Sequence, residues 1–198
     1  MDAGSYRPLI VGLGGTVRAL SSSERVLAAT LAKAEEAGAR TQMFGGEILS
    51  RLPIYNPMDS GGVDERSALV EAIRNADGVI LATPGYHGSL SGLIKNALDS
   101  LEPLSQDARP YLHGRAVGCI VVADGWQACG SALSALRSIV HALRGWPTPL
   151  GATVNSATRP FDEAGALKDA RDVWQVETVA QQVVDFARAW STTHSPSH

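Results

Sequence analysis

The sequence predicts a doubly wound α/β domain: five parallel strands in one sheet, with helices on both faces. Three observations carry that prediction. Apolar runs of strand length recur along the chain, segments with helical spacing of apolar residues separate them, and the runs do not alternate polar with apolar. Uniformly apolar runs are the mark of strands buried on both faces, as in a parallel sheet covered by crossover helices. The first run, 9–13, leads into Gly14-Gly15. The third, 78–83, ends at Pro84-Gly85, and the fourth, 117–123, ends at Asp124-Gly125. Weaker runs at 41–44 and 151–154 suit edge strands. Between them, Val26, Leu27, Leu31 and Ala34 share one face of a helix over 23–37 closed by Gly38. Leu69, Val70 and Ile73 mark a second helix, and Leu93, Ile94, Ala97 and Leu98 a third. Leu133, Leu136, Ile139, Val140 and Leu143 stripe a fourth, stopped by Gly145 and Pro147. Val173, Val176, Ala180, Val183, Val184 and Ala187 stripe a fifth.

Right-handed crossovers leave few topologies for five βα units, and the flavodoxin-like order 2-1-3-4-5 is the commonest. In such a sheet a ligand sits beyond the carboxyl ends of the strands, where the order reverses between the first and third. The loops that follow Leu13, Thr83 and Ala123 are therefore the candidate site.

The chain has 198 residues and a formal charge of −3. That balance excludes a protein that binds nucleic acid through a broad basic field. Cys119 and Cys129 form neither a disulfide framework nor a C-x-x-C pair. The longest apolar stretch, 117–123, is far short of the ~20 residues of a membrane span, and no basic segment with a long apolar core opens the chain. The expectation is a soluble protein of a reducing compartment, the cytoplasm. Residues 1–190 are expected to form one domain, with 191–198 a polar, disordered tail.

The first loop, Gly14-Gly15-Thr16-Val17-Arg18-Ala19-Leu20-Ser21-Ser22-Ser23, has the wrong glycine spacing for a dinucleotide fingerprint and lacks the Gly-Lys-Ser/Thr of a P-loop. It offers a run of backbone N–H groups, hydroxyls at Thr16, Ser21 and Ser23, and the Arg18 guanidinium, all leading into a helix N-terminus. Such a loop suits a mononucleotide phosphate. Ser21 to Glu24 also has capping-box spacing, so the serines equally read as a helix cap.

The second loop contains Pro84, Tyr86, Gly88-Ser89, Gly92 and Lys95-Asn96-Ala97 followed by Asp99. The pattern P-x-Y-x-G-S-x-x-G-x-x-K-N-A-x-D resembles the NADPH-dependent FMN reductase family of flavodoxin-like proteins. Thr16, Arg18 and Ser21 are similar to that family's phosphate loop, with threonine in place of serine. Residues 52–57, Leu-Pro-Ile-Tyr-Asn-Pro, resemble its segment after the second strand. The likeness covers about residues 8 to 155. It implies that the backbone of Pro84, Gly85, Tyr86 and His87 runs along the edge of an isoalloxazine ring. Gly85 and His87 depart from the family, which has larger residues and Asn there. Gly85 and Gly88 permit positive φ and close approach of a flat ring, and Tyr86 can cover its apolar surface. His87 is the one group there that could supply a proton near neutral pH, with a plain loop histidine as the competing reading. Lys95 and Asp99, four apart on a helix, read as a structural pair.

The third loop, 124–130, resembles the family's small-residue loop near the pyrimidine end of the flavin. Gly125 matches, whereas Asp124 and Trp126 depart, and Trp126 could wall the pocket, pack in the core or meet another subunit. Cys129 reads as inert. A receiver domain would need an aspartate where Thr83-Pro84 stands, and a cysteine phosphatase would need a cysteine in the first loop. The five scattered histidines define no metal site.

The resemblance thus implies an FMN-binding oxidoreductase that takes hydride from NADPH or NADH. Its cofactor-binding residues would be Thr16, Arg18, Ser21, Ser22, Ser23, Pro84, Gly85, Tyr86, His87, Gly88, Asp124, Gly125 and Trp126. No side chain is catalytic, since hydride transfer belongs to the cofactors. Reduced FMN would serve a partner monooxygenase, or stay bound and reduce a quinone, azo dye or metal oxyanion. The alternatives are a flavodoxin-type electron carrier, disfavoured by the modest charge, and a flavin-free interaction domain. The family's dimers or tetramers imply a homo-oligomer through the third and fourth helices, with Leu101, Leu104 and Trp146 facing outward.

Overall fold

A computed structural model describes residues 6–58 and 64–194. Its sheet has four principal neighbouring strands in the order β2 (Arg40–Phe44), β1 (Leu9–Gly14), β3 (Gly78–Tyr86) and β5 (Ala116–Ala123), all parallel. Two segments complete it beside β5: β6 (Trp146–Pro147) pairs with its first residues and β7 (Ala152–Asn155) with its last. Together they fill the place of the expected fifth strand, so the principal order matches 2-1-3-4-5. The strand is broken because five residues separate Val117↔Pro147 from Ile120↔Ala152, where an unbroken ladder would advance by three.

Alternate residues of each strand face opposite helical layers. Ile10, Ile80, Ile120 and Val154 pack under α1 (Ser22–Glu36) and α6 (Ala170–His194). Val11, Leu13, Val79, Leu81, Val117 and Val121 pack under α3 (Asp64–Asn75), α4 (Gly92–Asp99) and α5 (Trp126–Ala142). The first layer lies close because Gly12, Gly78 and Gly118 face it. A Cβ on Gly118 would come within 2.5 Å of Val179, and one on Gly78 equally near Val183.

Several expectations need correction. Pro84 does not end the third strand; β3 continues to Tyr86 and folds back as β4 (Ser89–Leu90), the one antiparallel pairing of the sheet. A short α2 (Gly46–Leu49), unsignalled by periodicity, follows β2. The third loop is only Asp124-Gly125, since α5 begins at Trp126. Helix α6 runs through Ser191 to His194, into the stretch expected to be disordered; residues 195–198 lie outside the described residues, as do 1–5. Leu101 and Leu104 are fully buried in the chain's own core and face no partner, whereas Trp146 is half-exposed. Among the described residues no helix is long and apolar enough to cross a membrane.

Two side chains seal strand edges and ends. Gln175 of α6, itself buried, imitates a neighbouring strand: its Oε1 accepts from Thr153 N at 3.0 Å and its Nε2 donates to Thr153 O at 3.2 Å. That occupies the backbone edge of β7, which would otherwise invite pairing. At the opposite end of the sheet, buried Arg115 donates to the carbonyls of Arg74 (2.7 Å), Ala76 (2.9 Å), Tyr111 (3.1 Å) and His113 (3.2 Å). Burial lowers its guanidinium pKa to about 10, so it remains charged at neutral pH.

Gln175→Ala removes both bonds to Thr153. It is expected to lower the unfolding free energy by about 1–3 kcal/mol, measured as a lower urea midpoint with unchanged slope.

Candidate functional site

The first loop is held from below and from within. Thr16 Oγ1 accepts from Arg18 N at 3.1 Å and donates to Arg18 O at 3.3 Å, closing a tight local turn. The loop rests on Gly45-Gly46, where a Cβ at Gly46 would fall 1.8 Å from Thr16 O. Ser21 is the N-cap of α1: its hydroxyl accepts from Glu24 N at 3.3 Å and lies 3.3 Å from Ser23 Oγ. The capping box is only half made. Glu24 turns its carboxylate outward, where Oε1 accepts from Gly46 N at 3.2 Å and ties α1 to α2. The amides of Ser22 and Ser23 have no intrahelical acceptor, as in any first helical turn. The exposed Arg18 guanidinium makes no ion pair among the described residues.

The β3–β4 hairpin supplies the facing wall. Tyr86 pairs with Ser89 across a two-residue turn in which His87 (φ 51°) and Gly88 (φ 84°) both have positive φ. That is the type I′ signature, matched to the right-handed twist of the strands. Histidine is among the residues that tolerate the left-handed region, so turn geometry accounts for His87, whose side chain is exposed. Gly85 lacks the positive φ expected of it. It lies within β3, where a Cβ would meet Ala123 Cβ at 2.9 Å and Ala128 O at 3.3 Å, so close packing of α5 requires glycine. Below the hairpin, Thr83 Oγ1 accepts from Ser91 N at 3.0 Å, and Ser91 Oγ caps α4 by accepting from Ile94 N at 3.3 Å. Asn96 on α4 fastens the 52–55 segment: Oδ1 accepts from Tyr55 N at 2.8 Å and Nδ2 donates to Pro53 O at 3.0 Å. Two of the motifs read separately in the sequence are thus joined by one carboxamide. Lys95 and Asp99 form the expected pair at 2.6 Å.

Two adjoining cavities lie between these walls. One, of about 240 Å³, is lined by Thr16, Arg18, Ser21, Ser22 and Ser23 on one side and by Pro84, Gly85, Tyr86 and Asp124 on the other. The second, of about 390 Å³, shares Thr16, Arg18 and Tyr86 and adds Val17, Ser91, Gly92 and Leu93. Nine of the thirteen site residues expected from the sequence therefore meet at one cleft. His87, Gly88, Gly125 and Trp126 line neither cavity. Trp126 is half-exposed with the Arg171 guanidinium 5.0 Å over its ring, so it is not a core residue. Sequence reasoning missed Val122, Ala123 and Ser156, which complete the first cavity; being the last residues of buried strands, or the first after one, was their only signal.

Neither thiol adds chemistry. Burial pushes Cys119 up to about 12 and also raises Cys129, whose Sγ contacts Val154 O at 3.6 Å. A high thiol pKa leaves little thiolate, the reactive form.

A family model described as NADPH-dependent FMN reductase matches residues 8–159. FMN-dependent NADPH-azoreductases of Staphylococcus aureus are 33% identical over 120 residues, which is 60% of this chain and 60% of theirs, so the chain matches under two thirds of those relatives. Among solved structures, an NADH:FMN oxidoreductase aligns with a TM-score of 0.60 at 22% identity, over 96% of this chain and 91% of its own. A Streptococcus pneumoniae flavodoxin aligns with a TM-score of 0.59 at 15% identity, over 89% and 98%. These structural likenesses establish a flavodoxin-like fold.

Replacing His87 by Asn should leave the thermal midpoint unchanged or higher, whereas His87→Val, β-branched at positive φ, should cost about 1–2 kcal/mol. In the native protein at neutral pH, iodoacetamide should modify neither cysteine within the time that fully alkylates the denatured chain, as read by intact mass.

Proposed function

The chain belongs to the NADPH-dependent FMN reductase family, and from that membership we propose that it is an NAD(P)H-dependent flavin oxidoreductase with FMN at the β1–β3 cleft. The observation that carries the reading is that Thr16, Arg18 and Tyr86 line both cavities, so the anion-suited loop and the hairpin face one space. Cavities of 240 and 390 Å³ that share walls offer room in the range of small-ligand sites, roughly 300–1,000 Å³.

The residues fit the group. The free amides of Ser22 and Ser23, the N-terminal end of α1 and the Arg18 guanidinium suit a phosphate dianion. The extended backbone of Pro84 to Tyr86 gives a flat, hydrogen-bonding edge for a ring system, with Val122 and Ala123 as apolar floor and Asp124 and Ser156 as polar rim. When bound, FMN supplies the two-electron chemistry between a nicotinamide, from NADPH or NADH, and a second acceptor. The chain's own work is to bind, orient and exclude water, and no side-chain base is needed for a hydride step. His87 has no chemical role in this reading.

The S. aureus azoreductases supply one class of acceptor for the proposal, and quinones or metal oxyanions are others; release of reduced FMN to a monooxygenase partner is the remaining route. Homodimer or homotetramer assembly and a cytoplasmic location belong to the same proposal. Half-exposed Trp146, beside Phe186 at 6.1 Å, offers apolar surface for assembly, and the buried Leu101 and Leu104 do not.

The test is anaerobic mixing with NADPH or NADH, with and without FMN, following nicotinamide absorbance. Oxidation that saturates in FMN makes flavin a substrate, and oxidation that requires a quinone or azo compound makes it a resident cofactor. No oxidation with any flavin or acceptor overturns the enzyme reading. Arg18→Ala should weaken FMN binding by about 1.5–3 kcal/mol while leaving riboflavin, which lacks the phosphate, unaffected.

A further inference from the structure

The Asp124-Gly125 turn poses a structural problem. It forms part of the cavity wall, yet Gly125 sits at φ 112°, and as N-cap of the 17-residue α5 it has no side chain with which to bond the helix amides. A glycine explores both signs of φ at little cost, so glycine alone does not hold this turn in one conformation.

Asn155 does. It is the last residue of β7, paired with Ala123 at the end of β5, and is largely buried. Two backbone donors converge on one atom of its carboxamide, Gly125 N–H at 3.2 Å and Ala157 N–H at 3.0 Å. Since both partners are donors, that atom must be the oxygen. One acceptor therefore joins the loop after β5 to the short 3₁₀ turn Ser156–Thr158 after β7, thirty positions away in sequence. Each joined segment contributes a wall residue, Asp124 from one and Ser156 from the other. The Asn155 carbonyl also accepts from Thr158 Oγ1 at 2.8 Å, which fixes the residue's own backbone.

We infer that Asn155 is a positioning residue of the flavin site: by fixing the Gly125 amide it sets the Asp124 side of the cleft in its binding conformation before a ligand arrives. The inference rests on the proposed flavin function and goes beyond it in assigning a role to a residue outside both cavity linings. It acts through the wall and not on the phosphate seat, which lies on the first loop.

The experiment compares wild type, Asn155→Ala and Asn155→Asp, with FMN and riboflavin as probes of binding at a temperature well below every thermal midpoint, and reads hydrogen exchange at the Gly125 amide without ligand. Asn155→Ala should weaken both flavins by a common factor of about ten, the scale of one neutral hydrogen bond, and should accelerate exchange at Gly125. Asn155→Asp keeps an oxygen acceptor at the same place and should restore Gly125 protection and riboflavin affinity. Riboflavin is the rescue probe because the added carboxylate would also repel a phosphate ester. A residue that served only global stability would leave the affinity of the folded protein unchanged. Unaltered Gly125 exchange in Asn155→Ala, wild-type affinity for both flavins despite faster exchange, or no rescue of riboflavin binding by Asn155→Asp would each overturn the inference. A wild type that binds neither flavin would overturn the functional reading along with it; a wild type that binds FMN beside an equally tight Asn155→Ala overturns this inference alone.

Discussion

The pairing of β1 with β3 is the constraint on which the cleft depends. The two run parallel in register from Ile10↔Gly78 to Gly14↔Ala82, so their following loops leave from the same edge of the sheet. One loop must rise to α1 on one face, and the other must turn toward α4 on the opposite face. Divergence opens a space, and the ladder fixes its width. Every residue that lines the first cavity stands close to a strand end, with Thr16 two positions beyond Gly14, Asp124 one beyond Ala123 and Ser156 one beyond Asn155. The site thus inherits the stiffness of a sheet whose central strands are wholly buried.

That inheritance explains what the sequence made legible. A strand covered on both faces has no polar positions, so 9–13, 78–83 and 117–123 stood out, and their neighbours in the sheet followed from handedness rules. The misreadings occurred where a local rule met a tertiary exception. Pro84 looked like a terminator because it lacks an N–H, but it pairs with Val122 as the last residue of its ladder, and the strand then changes partner to β4. Trp126 to Gly130 looked like loop because glycines bracket it, although α5 starts at once after Gly125. Leu101 and Leu104 follow α4, where periodicity stops, and nothing local says which side is covered; both turned out to be core.

A second class of interaction was illegible for a different reason. Loops at the cleft and at the sheet edge are fastened by side-chain amides and carboxylates across long stretches of chain: Asn96 to Tyr55 over 41 positions, Gln182 to Leu150 over 32, Glu24 to Gly46 and Gln175 to Thr153 over 22 each. Each satisfies backbone groups that the ladders leave open. A single Asn or Gln carries no periodic signal, so such bonds become visible only once the sheet has brought the segments together. The motif Lys95-Asn96-Ala97 shows the difference. As a pattern it pointed to a family, while its physical content, the hold of Asn96 on the 52–55 segment, required coordinates.

The two readings of the serine run, helix cap and anion seat, conflict only if both demand the same atoms, and they do not. Capping engages the Ser21 hydroxyl with the Glu24 amide. It leaves the Ser22 and Ser23 amides pointing out of the helix end, where the α1 dipole places partial positive charge. Glu24 decides whether that charge is opposed. In a complete capping box its carboxylate would fold back over the Ser21 amide and put a negative group at the helix mouth. Instead it reaches sideways to Gly46 N, a position open only because Gly46 carries no Cβ to strike the Thr16 carbonyl. The glycine that lets the first loop lie down thus also draws the carboxylate aside, and the helix end is left to Arg18 and the bare amides. The cap and the anion seat are then two parts of one arrangement: the first stabilises the helix, and the way it does so keeps the second electropositive.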